Sequence, residues 1–197
     1  MFLQIIEGQV QDADLLTRQM DAWRAKVKPG AIGFLGSTGG ITDDGRFIVI
    51  ARFESEDAAR KNGDRPEQDS WWKATEPAFA SVAFTDCTEV DTFLGGGSDS
   101  AGFVQVMKGR ALDPVKLREM GEQMESEMPK VRPDVIGGVV GWHGDRDFTQ
   151  VVYFTTEAAA RQGESAEVEG GDTGQDDWSA MMDGEMSFID LHDPMFD

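Results

Sequence analysis

Two glutamines stand at matching places in the chain: Gln4 in Phe2-Leu-Gln-Ile-Ile-Glu-Gly8 and Gln105 in Phe103-Val-Gln-Val-Met-Lys-Gly109. On a strand, Gln4 shares its face with Phe2 and Ile6, and Gln105 shares its face with Phe103 and Met107. An amide among such neighbours needs a partner. It either hydrogen-bonds a polar ligand or satisfies nearby backbone. Arg52 interrupts the apolar run Phe47–Phe53 and would hold a phenolate or carboxylate; otherwise it is a side chain that reaches water along its stem. Tyr153, the one tyrosine, occupies the matching position, as a proton donor or as packing. Trp71, Trp72 and Trp178 would wall a site for a flat ligand, or fill a core. Cys87 aligns with Leu191 and reads as core. His143, in Gly141-Trp-His-Gly144, reads as a hairpin residue, with reach to a ligand as the alternative. The acidic run Glu164–Asp177 lacks calcium-loop spacing and reads as a solvated loop. One cysteine and two histidines exclude an internal disulfide and a cysteine-rich zinc site. No dinucleotide, phosphate-loop or nucleophile-elbow motif is present.

The elements that must position these residues come twice. Phe2–Gly8 matches Phe103–Gly109 at an offset of 101, and so do Asp12 with Asp113, Phe53 with Phe154, and Arg60 with Arg161. Ile32-Gly33 pairs with Ile136-Gly137, and Ala83–Asp86 with Ser187–Asp190, at 104; Gln68–Trp71 pairs with Gln175–Trp178 at 107. Each copy reads strand, amphipathic helix (Leu16, Met20, Trp23, Val27; or Leu117, Met120, Met124, Met128), hairpin, short helices, strand. That is the α+β order βαββαβ, predicted over residues 1–94 and 101–197 with 95–100 as a flexible Gly/Ser linker. The strands Phe47–Phe53 and Ile136–Val140 are nearly continuously apolar, which predicts cover on both sheet faces.

Composition bounds the partners. Hydrophobic residues make 40% and charged residues 28% of 197, as in globular domains. The net charge is −19, which opposes phosphate backbones and anionic bilayers, so neither nucleic acid nor a membrane is an expected partner. No apolar run approaches the ~18 residues of a membrane span, and the N-terminus lacks the basic region of a secretory signal. With the lone cysteine, this predicts a reduced cytoplasmic setting.

Pro29-Gly30-Ala-Ile-Gly33 and Phe53-Glu-Ser-Glu-Asp-Ala58 resemble the antibiotic-biosynthesis-monooxygenase family of dimeric α/β barrels. Copy one carries the pattern whole. Copy two keeps Pro133, Gly137 and Phe154-Thr-Thr-Glu-Ala158. The resemblance implies two ferredoxin-like repeats packed sheet to sheet, an intrachain pseudo-dimer expected to be a monomer in solution. It implies a monooxygenase without cofactor, acting on a small aromatic or quinone-type substrate whose carbanion reduces dioxygen directly. Under this reading Gln4, Arg52 and Trp71 are catalytic, Trp72 lines the same site, and Gln105, Tyr153 and Trp178 bind ligand in copy two. A non-catalytic ligand-binding barrel is the alternative. Haem-degrading relatives place Asn, Trp and His where this chain has Gln4, Asn62 and Trp71, or Gln105, Gly163 and Trp178, which disfavours haem.

Overall fold

Capping side chains punctuate the chain at the turns of the repeat. Asp12 accepts from the Leu15 N–H (2.8 Å), Asp113 from Val115 and Lys116 (3.1 and 3.2 Å), and Ser55 from Ala58 (3.2 Å). Each gives first-turn donors that lack an intrahelical partner an acceptor. The computed structural model describes residues 1–170, 178 and 180–197. Residues 171–177, the end of the acidic run and most of the second tryptophan motif, lie outside the described residues.

The chain is α+β, with two five-stranded antiparallel sheets in two units. Unit 1 comprises Met1–Glu89 and Met195–Asp197. Its elements are β1 (Phe2–Val10), α1 (Ala13–Ala22), β2 (Phe34–Ile41), β3 (Arg46–Phe53), α2 (Glu56–Gly63), α3 (Pro66–Thr75) and β4 (Phe79–Cys87). Unit 2, Val90–Pro194, carries β5 (Glu89–Phe93), β6 (Phe103–Arg110), α4 (Pro114–Glu125), α5 (Met128–Val131), β7 (Val135–His143), β8 (Asp147–Phe154), α6 (Glu157–Gly170) and β9 (Ser187–Leu191). The last strand, β10 (Met195–Phe196), belongs to unit 1. The sheet orders are β10-β2-β3-β1-β4 and β5-β7-β8-β6-β9.

Three expectations are corrected. The unit boundaries do not fall at 94 and 101. The segment after β4 forms an edge strand of the second sheet, and the segment after β9 forms an edge strand of the first, because a sheet edge offers unpaired N–H and C=O groups that an extended chain satisfies. The glycine run is a packed turn where a flexible linker was expected. Gly96 is buried, its N–H donates to Phe93 O (3.0 Å), and a Cβ on Gly137 would sit 2.0 Å from Gly96 O. Finally, the hairpins align at 101 where 104 was read. Gly36 pairs with Arg52 and Gly137 with Tyr153, while Glu54 N–H donates to Gly33 O and Thr155 N–H to Asp134 O. Gly33, left-handed at φ +60° and too close to Ala58 for a Cβ, therefore corresponds to Asp134.

Register fixes the faces, because directly paired residues project to the same side. In unit 1, Phe2, Ile6, Phe47, Val49, Ala51 and Phe53 lie under the helices, with Leu16 of α1, Ala59 of α2 and Trp72 of α3 packed on them. Leu3, Ile5, Ile48 and Ile50 on the opposite face are buried as well. Unit 2 repeats this with Phe103, Val152 and Phe154 on one face and Val104, Val106, Val151 and Tyr153 on the other.

Asp197 holds the last strand to unit 1. It is the acceptor for Arg24 (Nε 2.9 Å, Nη2 3.1 Å) and Lys28 (3.3 Å), and its backbone exchanges both hydrogen bonds with Ser37. The Asp197 carboxylate is 5% exposed, against 35% and 37% for the cations, and its hydrogen bond raises the Arg24 pKa. Asp197→Ala is expected to cost about 1–3 kcal/mol, less than a fully buried pair because the cations reach water. The urea midpoint of the variant checks this; an unchanged midpoint would mean that the strand is held by its backbone bonds alone.

Candidate functional site

The same pair of polar residues meets in both units. On β1, Gln4 pairs with Asp86 of β4, and its Nε2 donates to Asp86 Oδ1 at 3.1 Å. On β6, Gln105 pairs with Asp190 of β9, and its Nε2 donates to Asp190 Oδ1 at 2.9 Å. Gln4 and Gln105 thus lie on the helix-covered faces, between Phe2 and Ile6 or between Phe103 and Met107. The aspartates were passed over as site residues. Their signal was present in the sequence, since a glutamine on the first strand recurs with an aspartate on the last strand of each copy.

The surroundings of the two carboxylates differ. In unit 2, Arg161 of α6 donates to Asp190 Oδ2 and is flanked by Glu157 (3.4 Å) and Glu164 (3.3 Å). The Asp190 hydrogen bond is the main reason that the Arg161 pKa is raised. The guanidinium stacks on the Phe103 ring (5.1 Å), and His192, bonded to Glu157 Oε2 (2.9 Å), lies against the same ring (5.9 Å). The carboxylate of Asp190 is therefore paired with a cation and 30% exposed. In unit 1 the matching Arg60 pairs with Glu56 on the exposed side of α2, and Thr88 stands where unit 2 has His192. Among the described residues, the Gln4 amide is the side-chain partner of Asp86, which is otherwise exposed.

Aromatic rings stand beside Asp86. Phe84, two residues away on the same face of β4, is 49% exposed, and Trp72 of α3 meets it edge-on at 5.1 Å. Trp72 also stacks on Phe79 at 6.3 Å. Trp71 is placed differently. Its indole N–H donates to the Gln19 carbonyl (2.7 Å), and its ring packs between Trp23 (6.3 Å) and Trp72 (5.9 Å). This is a half-buried packing position with its polar atom satisfied.

Arg52 does not join Gln4. It pairs with Leu3 and Gly36, one residue out of phase with Gln4, and so projects from the opposite face. Its guanidinium lies over Gly36, where a Cβ would be 2.7 Å from Nη2 and 3.0 Å from Asp197 O. Tyr153 is likewise paired with Val104 and Gly137, 1% exposed, and faces away from Gln105. Trp178 shares the helix side of unit 2, but it packs on Phe148 (6.4 Å) among Met120, Met181, Met182 and Met186. The expected four-residue wall of Gln4, Arg52, Trp71 and Trp72 therefore reduces to Gln4 and Trp72, joined by Asp86 and Phe84.

The positions compared with haem-degrading relatives are structural. Asn62 is buried, and its Oδ1 accepts from Ile32 N–H and Arg65 Nη1, both at 3.0 Å. Gly163 lies under Arg132, where a Cβ would be 2.4 Å from Nε. Among the described residues no three His, Cys, Asp or Glu side chains converge as metal ligands, and no helix is long and apolar enough to cross a membrane.

The sequence matches no family model and no curated protein sequence. Solved structures do match along nearly the whole chain. A provisionally named monooxygenase from Lactobacillus acidophilus superposes with a TM-score of 0.69 at 13% identity, covering 96% of this chain and 92% of that one. A second, from Fusobacterium nucleatum, gives 0.69 at 10% identity over 96% and 90%. An anthrone oxidase-like protein gives 0.66 at 10% identity over 99% and 92%. The chain shares the fold of these three structures. At such identities the likeness is one of fold, and many chemistries share a fold. Within this fold, the Gln4–Asp86 pair is the place in unit 1 where a carboxylate and an amide meet beside the exposed Phe84 and the half-buried Trp72.

Proposed function

We propose that the chain is a cofactor-independent monooxygenase whose working site is in unit 1, and that its substrate is a small, electron-rich aromatic of the anthrone or hydroquinone type. The observation that carries this is the contrast between the two aspartates: Asp190 is held by Arg161, whereas among the described residues Asp86 is held by the Gln4 amide and shares its face of β4 with the exposed Phe84 ring. Asp86 takes the proton from the substrate carbon or hydroxyl. Gln4 fixes the carboxylate, with its amide donating to Oδ1. Trp72 and Phe84, which meet edge-on, offer apolar surface on which the ring rests. For an anthrone, the carbanion adds to dioxygen, the peroxide takes up the proton, and loss of water leaves the ketone. One CH2 group and one O2 become one C=O and one H2O, so no external reductant is consumed. The neighbour named anthrone oxidase-like supports trying this substrate class first.

The test is dioxygen uptake by the full-length protein with anthrone and with a hydroquinone, against the uncatalysed rate. For anthrone, one O2 consumed per quinone formed is expected. No acceleration with either compound would overturn the catalytic reading and leave unit 1 as a ligand-binding site.

A further inference from the structure

The helix-covered face of unit 2 holds a polar atom that no neighbour among the described residues satisfies. Gln150 of β8 pairs with Met107 of β6 and Val140 of β7, so these three side chains share the face beneath the helices. Its Oε1 is buried, and among the described residues no donor reaches it. A buried amide oxygen without a donor is destabilising, and copy one avoids the cost with Val49 at the matching place. Gln150 stands at the seam of two apolar clusters. Phe103 and Met107 mark one, and Phe148, Val140, Met120 and Met186 mark the other. Methionine side chains repack readily and are favoured at surfaces that accommodate varied ligands.

We propose that Gln150 anchors a second ligand site, within unit 2, for a flat apolar molecule bearing one hydrogen-bond-donating hydroxyl, a phenol in the simplest case. The site binds without reacting, because Asp190, the carboxylate on the same face, is engaged by Arg161 and Gln105. The inference is independent of the reaction assigned to unit 1.

The full-length protein, labelled at its methionine methyl groups, is titrated with 2-naphthol and with naphthalene, which lacks the donor. Shifts of the Met107, Met120 and Met186 methyl signals are expected with 2-naphthol, at an affinity roughly three- to tenfold above that of naphthalene, the range one hydrogen bond supplies. Gln150→Leu is expected to abolish that preference and to keep or raise the melting temperature. Gln150→Val, the copy-one residue, is read in the same way. A preference that survives in both variants overturns the proposal, as does the absence of methionine shifts in the wild type. A fall in melting temperature or failure to fold in both variants also overturns it, because the amide would then serve the fold. Asp86→Asn should leave these shifts unchanged, which separates this result from any failure in unit 1.

Discussion

Asp86→Asn is expected to lower the rate of dioxygen uptake with anthrone by about 10²–10⁴-fold, the usual contribution of a positioned proton acceptor. The substitution is close to isosteric. An asparagine Oδ1 still accepts from Gln4 Nε2, which now donates to Asp86 at 3.1 Å, so the strand pairing and the edge-on contact of Trp72 with Phe84 are kept while the base is lost. Three companion measurements give the result its meaning. Gln4→Leu removes a hydrogen bond worth about 0.5–1.5 kcal/mol and should cost only about two- to twelvefold in rate. Asp190→Asn should leave the rate within about twofold, since Asp190 serves an ion-pair network under α6 and carries no proton in the reaction. Melting curves should show all three variants folded. A rate that falls with Asp190→Asn and survives Asp86→Asn would reverse the assignment of the units.

Much of this fold was legible because the sequence states it twice. The alternation around Gln4 and Gln105, the capping residues Asp12 and Asp113, and the stripes from Leu16 and Leu117 each predict an element independently, and their recurrence removes the ambiguity of a single reading. The candidate site was less legible, for a definite reason. Alternation along one strand tells which residues share a face of that strand, but whether Arg52 shares a face with Gln4 depends on how β1 and β3 are registered. Leu3 pairs with Arg52 and Gln4 with Ala51, which sends the arginine to the other side. The edge strands were missed because β10 spans two residues, too few for a period, and because Glu89–Phe93 reads as the tail of β4. Their place in the opposite sheets is decided by which edge is free. Asp86 and Asp190 could have been found, since the repeat brings a glutamine and an aspartate together in both copies.

The least regular part of the repeat leads to the second large effect. Where unit 1 has the glycine turn ending at Gly33, unit 2 has Asp134, held bidentately by Arg132 (Nε to Oδ1 3.1 Å, Nη2 to Oδ2 2.8 Å) with side chains only 10% and 7% exposed. The guanidinium also lies over the Phe154 ring at 5.7 Å and fills the space left by Gly163. Unit 1 closes the same corner with Asn62 and Arg65. The two units thus solve one packing problem differently: a buried ion pair stands in unit 2 where unit 1 has a tight turn and a buried amide. Asp134→Ala strands a guanidinium away from water, and Arg132→Ala strands a carboxylate. Each is expected to destabilise unit 2 by about 3–5 kcal/mol, whereas Arg60→Ala, at a surface pair, should cost under about 1 kcal/mol. Removing both charges together, as Arg132→Leu with Asp134→Ala, should recover part of the loss, because much of the cost of either single change is the uncompensated charge it leaves behind. Urea midpoints followed by the fluorescence of Trp142, buried in unit 2, measure all four variants. Single losses no larger than that of Arg60→Ala would mean that water reaches the pair, and that it does not do for unit 2 what the turn and the buried amide do for unit 1.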